Sequence, residues 1–154
     1  MAVSKLIEYL DSHNVRYVTI SHSQAFTAPE IAASAHIKGK ELAKTVIVRI
    51  NGRLAMAVLP ASQHVDFGLL EMAIGAGKVQ LATEQEFRGL FLDCQVGAMP
   101  PFGNLYGVDV FVAATLADDE EIAFNACCHT KLIRMAYRDF ERLVQPKIIH
   151  FARH

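Results

Sequence analysis

The feature that most narrows the possible folds is a pair of apolar runs around a turn dipeptide: Thr45-Val-Ile-Val-Arg-Ile50, then Asn51-Gly52, then Arg53-Leu-Ala-Met-Ala-Val-Leu59. A type I′ turn needs positive φ at both central residues, which Asn and Gly tolerate, so this stretch specifies a β-hairpin. Everything else in the chain is read as elements that pair with that hairpin or pack on it.

Before the hairpin, Val3, Leu6, Ile7 and Leu10 follow the spacing of an amphipathic helix that stops near His13-Asn14. Val15 to Ile20 is rich in β-branched and aromatic residues and reads as a strand, ended by the polar Ser21-His22-Ser23-Gln24. Thr27 and Glu30 have capping-box spacing, with Pro29 tolerated in the first turn, so a thin, alanine-rich helix is expected through Ala35. After the hairpin, a helix from about Asp66 to Ile74 ends at Gly75-Ala76-Gly77, and Val79 to Ala82 is a short strand. Thr83 and Glu86 form a second capping-box pattern for a helix to about Leu90. Val108 to Ala114 is a strand, Asp118-Asp119 a turn, and Glu121 to Ala126 another strand. Lys131 to Met135 alternates with Ile133 and Met135 on one face, Tyr137 to Val144 is helical before Pro146, and Lys147 to Phe151 adds a last short strand.

Roughly seven strands and four or five helices that do not strictly alternate imply an α/β chain of the α+β type, with a mixed sheet. At 154 residues, with no repeat, low-complexity tract or linker, the chain is expected to be a single domain, 1–154, around one core. Several classes are excluded. No apolar run approaches the roughly 18 residues of a membrane span, and no basic stretch followed by an apolar one opens the chain, so a soluble protein is expected. Three cysteines, two of them adjacent, do not suggest a disulfide framework, which points to a reducing compartment, with the cytoplasm as default. A net charge of −1 argues against a broad electrostatic grip on nucleic acid while leaving room for a local basic site. The GxGxxG and P-loop patterns are absent.

Four features carry candidate chemistry. The run Gly97-Ala98-Met99-Pro100-Pro101-Phe102-Gly103 has two glycines, two prolines and no charge, so it is a stiff loop, read either as a surface turn or as a rigid pocket wall. Lys44 opens the hairpin and is either a solvated strand end or a point charge for a phosphate or carboxylate. Cys127-Cys128-His129 lacks the companion ligands of a zinc site, and neighbours on a strand point to opposite faces, so a Cys–His nucleophilic pair is disfavoured. Both cysteines are better read as small buried hydrophobes. His129 itself, following Asn125 at a strand junction, is either structural or catalytic.

Three segments, Gly39-Lys-Glu-Leu-Ala-Lys44-Thr-Val-Ile-Val, the Gly97 to Gly103 loop, and Phe124-Asn125-Ala126-Cys-Cys-His129 with Ile133, Met135 and Asp139-Phe140 beyond, occur in an order and spacing that resembles the YbaK family. This family includes free-standing aminoacyl-tRNA deacylases and the editing domain of bacterial prolyl-tRNA synthetases, and the resemblance spans nearly the whole chain. It implies a partly barrel-like mixed sheet surrounded by helices, and hydrolysis of the ester between a wrong amino acid and the 3′ end of tRNA, without metal, cofactor or covalent nucleophile. By the resemblance, Lys44 serves the phosphate or terminal nucleotide, and the loop residues hold the α-amino acid and offer backbone N–H groups. His129 and Asn125 orient substrate or water; Thr45 also faces the site, and Phe26 and Thr27 help select the side chain. The implied partners are the acceptor end of mischarged tRNA and a synthetase that adds affinity. One departure stands out: Cys127 occupies a position where the family usually has glycine. Discrimination among alanine, cysteine, serine and threonine rests on about 1–3 kcal/mol per small group, which leaves the amino acid open. The alternatives from other classes are a non-catalytic aminoacyl- or nucleotide-binding module and a thiol-dependent hydrolase.

Overall fold

The computed structural model describes residues 4–22, 37–75, 77–95 and 97–154. Helix α1, Ser4–Ser12, precedes β1, Tyr17–Ser21. The hairpin consists of β2, Ala43–Ile50, and β3, Arg53–Pro60. Asn51 and Gly52 have φ of 49° and 86°, as the I′ turn requires, and all eight residues of each strand are in antiparallel register from Ala43↔Pro60 to Ile50↔Arg53.

Next come β4, His64–Val65, and α2, Phe67–Ile74. Asp66 caps α2 by accepting the Leu69 N–H at 3.0 Å, and Gly75 closes it in the left-handed conformation. Strand β5, Val79–Leu81, is followed by α3, Glu84–Phe87, where both halves of the Thr83–Glu86 capping box form. This helix stops at Phe87, shorter than the expected run to Leu90. Then β6, Asp109–Ala113, leads directly into a four-residue helix α4, Ala114–Ala117, so Asp118 ends a helix where a simple turn between strands was expected. Strands β7, Glu121–Asn125, and β8, Lys131–Ala136, precede α5, Tyr137–Val144, then β9, Lys147–Ile149, and β10, Ala152–Arg153. The capping box expected at Thr27 lies outside the described residues.

The strands form a five-stranded sheet in the order β5-β2-β3-β6-β9, a three-stranded antiparallel sheet β1-β8-β7, and a two-stranded pairing of β10 with β4. Strand β6 runs parallel to both β3 and β9, so the large sheet is mixed. The partly barrel-like character expected from the resemblance is not seen as a closed sheet: among the described residues the two larger sheets are joined by one parallel bridge, Leu42↔Ala123, reinforced by the Ala123 N–H donating to Glu41 O at 3.0 Å. Closure would need a continuous ladder along that seam, and the pairing there is a single bridge.

Period-two alternation divides the interior into three clusters. Ala43, Ile47, Met56, Val58, Val110 and Val112 on one face of the large sheet meet Ile122, Phe124, Ile133 and Met135 from the small one, and Leu6, Leu10 and Phe140 cover the rest. The opposite face of the large sheet, with Val48, Ala57, Leu59 and Phe111, packs under Leu70 of α2 and Phe151. A third cluster, Ile37, Leu42, Ala61, Ala123 and Leu132, sits on the seam between the sheets.

Candidate active site

Lys44 lies two residues beyond Leu42 on β2, and Asn125 two beyond Ala123 on β7. Alternation puts Lys44 on the side of β2 that carries Val46 and Val48, and Asn125 on the side of β7 that carries Ala123 of the seam cluster, each two residues beyond the single Leu42↔Ala123 bridge. Both carry polar groups that no described residue satisfies. The half-buried Lys44 ammonium enters no ion pair or hydrogen bond with the described residues, and burial lowers its pKa from the ordinary 10.5. The Asn125 amide oxygen is buried and accepts no hydrogen bond from them. Two unmet polar groups of complementary kind at one seam are expected where a ligand is meant to come. Thr45 alternates to the other side of β2, pairing with Val58, so it faces the main core and not the Lys44 side.

The loop from Gly97 to Gly103 is not a surface turn. Ala98 through Gly103 are all buried, and only Gly97 is exposed. The aromatic ring of Phe102 anchors it, with centroids 5.5 Å from those of Phe124 and Phe140 and 6.1 Å from that of Tyr9. Gly103 lies so close to β6 that a Cβ there would fall 2.6 Å from the Val108 carbonyl oxygen and from a methyl of Val110. At the other end Gly97 has φ of 84°, and a Cβ there would sit 3.5 Å from Cε1 of His129. The loop's mouth therefore faces the His129 imidazole, which is buried. Of the first five loop residues, Pro100 and Pro101 have no N–H, and Ala98 donates to Gln95 O at 3.0 Å. The N–H groups of Gly97 and Met99 make no hydrogen bond among the described residues.

His129 sits in the turn between β7 and β8, not on a strand. The strand ends at Asn125, and Cys127 has φ of 68°, a left-handed conformation that L side chains rarely adopt. The strand-alternation argument against a Cys–His pair therefore does not apply. What decides the matter is bonding: Cys127 is fully buried and joined to Cys94 in a disulfide, leaving Cys128 as the free thiol, 3.7 Å from Thr130 Oγ1. Neither cysteine is thus the buried, unbonded hydrophobe expected, because Cys128 is half-exposed. Beside the disulfide, the Tyr106 hydroxyl donates to Asp93 at 3.0 and 3.1 Å. Burial, and then that carboxylate, push the phenol pKa well above its usual range.

Sequence reasoning missed Gln95. Its N–H donates to Cys127 O at 2.9 Å, its side-chain oxygen accepts the backbone N–H of His129 at 2.8 Å, and its own carbonyl accepts from Ala98. One residue thus joins the loop to the histidine turn, and no motif marks it. Phe26 and Thr27 lie outside the described residues. The chain leaves the described part at His22, whose N–H donates to Thr130 O at 2.9 Å, and re-enters at Ile37 in the seam cluster.

This arrangement has relatives. A family model described as an aminoacyl-tRNA editing domain matches residues 22–143. The chain belongs to the aminoacyl-tRNA editing domain family. A curated relative from Escherichia coli (strain K12), the multifunctional Ser/Thr-tRNA deacylase ProXp-y, is 27% identical over 157 residues, covering 97% of this chain and 92% of the relative. A proline–tRNA ligase of Bacillus cytotoxicus is 28% identical over 100 residues, which is 64% of this chain but 17% of that much longer enzyme. Among solved structures, a putative trans-editing enzyme for prolyl-tRNA synthetase superposes with a TM-score of 0.83 at 16% identity, covering 99% of this chain and 98% of that one. This editing domain thus has the mixed α/β fold of that enzyme. No helix of its described residues is long and apolar enough to cross a membrane.

Proposed function

We propose that this protein is an aminoacyl-tRNA deacylase that hydrolyses the ester linking a wrongly attached amino acid to the 3′ end of tRNA. The observation that carries this reading is a Lys44 ammonium and an Asn125 amide oxygen, each without a partner among the described residues and each two residues beyond the Leu42↔Ala123 bridge, within a chain of the editing-domain family. An ammonium suits a phosphate oxygen of the terminal nucleotide, and an amide oxygen suits the α-ammonium of an aminoacyl group. The naming of one relative as a Ser/Thr-tRNA deacylase and of a structural neighbour as a trans-editing enzyme supports the same substrate class.

The chemistry asks for little more. An aminoacyl ester is already activated, so rate is gained by fixing it against a water and by meeting charge on the carbonyl oxygen as the tetrahedral intermediate forms. The water adds to the carbonyl carbon and loses a proton; the bond to the ribose oxygen breaks, and that oxygen takes up a proton. The Gly97 and Met99 N–H groups, unbonded among the described residues, are the donors assigned to the developing oxyanion, with Ala98 and the two prolines keeping the backbone between and beyond them fixed. His129 orients substrate or water from across the mouth of the loop. A synthetase or a second tRNA-binding protein supplies further affinity, since the net charge of −1 gives no broad grip on tRNA.

The test is a panel of tRNAs mischarged with alanine, cysteine, serine or threonine, followed for release of the amino acid by wild type, Lys44→Ala, Asn125→Ala, His129→Ala and Cys128→Ala. Release above the buffer rate that falls in the first three variants and persists in Cys128→Ala supports the reading. Binding of the tRNA end without turnover in wild type overturns it in favour of a recognition module, and loss of activity in Cys128→Ala alone overturns it in favour of a thiol hydrolase.

A further inference from the structure

Gln95 is exposed, yet its side chain turns inward to accept the backbone N–H of the buried His129 at 2.8 Å. An exposed glutamine is ordinarily free to rotate in solvent, and holding it costs side-chain entropy. Its neighbour Cys94 is bonded to Cys127, and Cys127 is in turn held by the Gln95 N–H through its carbonyl at 2.9 Å. The covalent bond and the hydrogen bonds thus close around the same residues, Cys94, Gln95 and Ala98 on one side and Cys127 and His129 on the other, beside the point where Gly97 faces the His129 ring. Without the sulfur–sulfur bond, the two are held together at this point by hydrogen bonds at least partly open to water, each worth about 1 kcal/mol. With it, the separation between Gln95 and the histidine turn is fixed.

We propose that Gln95 is a positioning residue for His129 and that the adjoining Cys94–Cys127 pair sets it by oxidation state, holding the contact as a disulfide and releasing it as a dithiol. This rests on the deacylase reading for its activity assay alone. The two sulfurs differ in access. Cys127 is fully buried, whereas Cys94 is half-buried and lines a mainly apolar cavity of about 120 Å³ with Phe87, Arg88, Phe91, Leu92 and Met99. Cys94 is accordingly the sulfur that meets an external thiol or disulfide. In the oxidising direction the Cys94 thiolate attacks a low-molecular-weight disulfide, breaking its sulfur–sulfur bond and expelling one thiolate. The Cys127 thiolate then attacks the Cys94 sulfur of the mixed disulfide and expels the second. The protein loses two electrons and two protons, and the external disulfide becomes two thiols. Reduction by a dithiol runs the same exchange backwards.

The left-handed backbone at Cys127 supplies a clean variant, because glycine at that position keeps the turn and removes the sulfur. The full-length protein is prepared oxidised with a low-molecular-weight disulfide and reduced with a phosphine, with thiols counted by alkylation and mass. Wild type, Cys127→Gly, Cys94→Ala, Gln95→Leu and Gln95→Glu are compared by deacylation kinetics and by hydrogen exchange at the His129 amide. On the proposal, reduction lowers wild-type kcat about tenfold with a smaller change in KM, the order of loss expected for a misplaced catalytic group. The His129 amide exchanges faster to match. Cys127→Gly and Cys94→Ala resemble the reduced enzyme and ignore the oxidant. Gln95→Leu loses the same factor even when oxidised, while Gln95→Glu, which retains an acceptor, recovers it; a merely structural glutamine shows neither the split nor the rescue. Equal kcat and equal His129 exchange in oxidised and reduced wild type overturn the proposal. If no form releases any amino acid, the deacylase reading fails, and the exchange rates alone decide whether the clasp exists.

Discussion

Replacing Gly103 by alanine tests whether the Gly97 to Gly103 loop is held as tightly as its packing indicates. The added Cβ would lie 2.6 Å from the Val108 carbonyl oxygen, where ordinary contact begins near 3.4 Å, so the backbones must part by nearly an ångström. The Val110 methyl at the same distance can rotate, but the carbonyl cannot. The residues are also tied: Gly103 O accepts the Val108 N–H at 3.0 Å and the Tyr106 N–H at 2.9 Å, so separation strains both bonds. Forced overpacking of this kind costs about 1–3 kcal/mol, and at this chain length each kcal/mol moves the melting temperature by about 2–4 °C, so a fall of roughly 2–12 °C is expected. Gly89→Ala is the control, because a Cβ there meets nothing within 4 Å and its φ is not positive; it should be neutral or slightly stabilising. Thermal denaturation by circular dichroism gives the stabilities, and deacylation of a responsive mischarged tRNA should fall further in Gly103→Ala than in Gly89→Ala, since Phe102 is displaced with its neighbour. A Gly103→Ala protein that melts within a degree of wild type and retains its activity would show that the loop yields, and the rigid-wall argument would fail.

Further outcomes follow from the same geometry. Lys44→Met should abolish most deacylation while leaving the melting temperature unchanged or slightly raised, because a half-buried cation without a partner among the described residues gains no stabilising contact from them. Since the folded-state pKa of Lys44 lies below 10.5, the unfolded chain binds the extra proton between the two values, and stability rises with pH there; the melting-temperature gap between Lys44→Met and wild type should narrow as pH is raised towards 10.5. Asp66→Ala removes the cap on α2 and an Arg153 contact at 3.4 Å, and should lower stability by about 1 kcal/mol in urea titration with kcat unaltered.

Local rules located most elements, because Asn51-Gly52, the Thr83–Glu86 box and the Asp66 cap each act within a few residues. They failed where tertiary contact overrides local preference. Helix α3 ends at Phe87, whose ring packs edge-on against Phe91 at 6.1 Å, and α4 inserts its Leu116 into the main core where turn residues alone suggested a loop. At the site, Lys44, Asn125, His129 and the loop were recognisable as residue types in order. Their grouping was not: Lys44 and Asn125 each lie two residues beyond one parallel bridge, Leu42↔Ala123, between residues 81 apart, and alternation turns Thr45 away. Gln95 and the Cys94–Cys127 bond were invisible for the same reason, since two cysteines 33 residues apart carry no local sign that their backbones converge.

The pairing of β1 with β8 has a consequence for how the protein comes into being. Tyr17 lies opposite Met135 and Ser21 opposite Lys131, so the small sheet joins segments far apart in the sequence. A ribosome releasing the chain from its N-terminus has delivered the hairpin, α2 and the loop long before β8 emerges, and until then β1 has no edge to join and His129 has no turn to occupy. A nascent chain at that stage therefore holds β5, β2, β3 and β6 of the large sheet but lacks β9 and the His129 turn. That turn forms late, when β8 closes against β1 and β7.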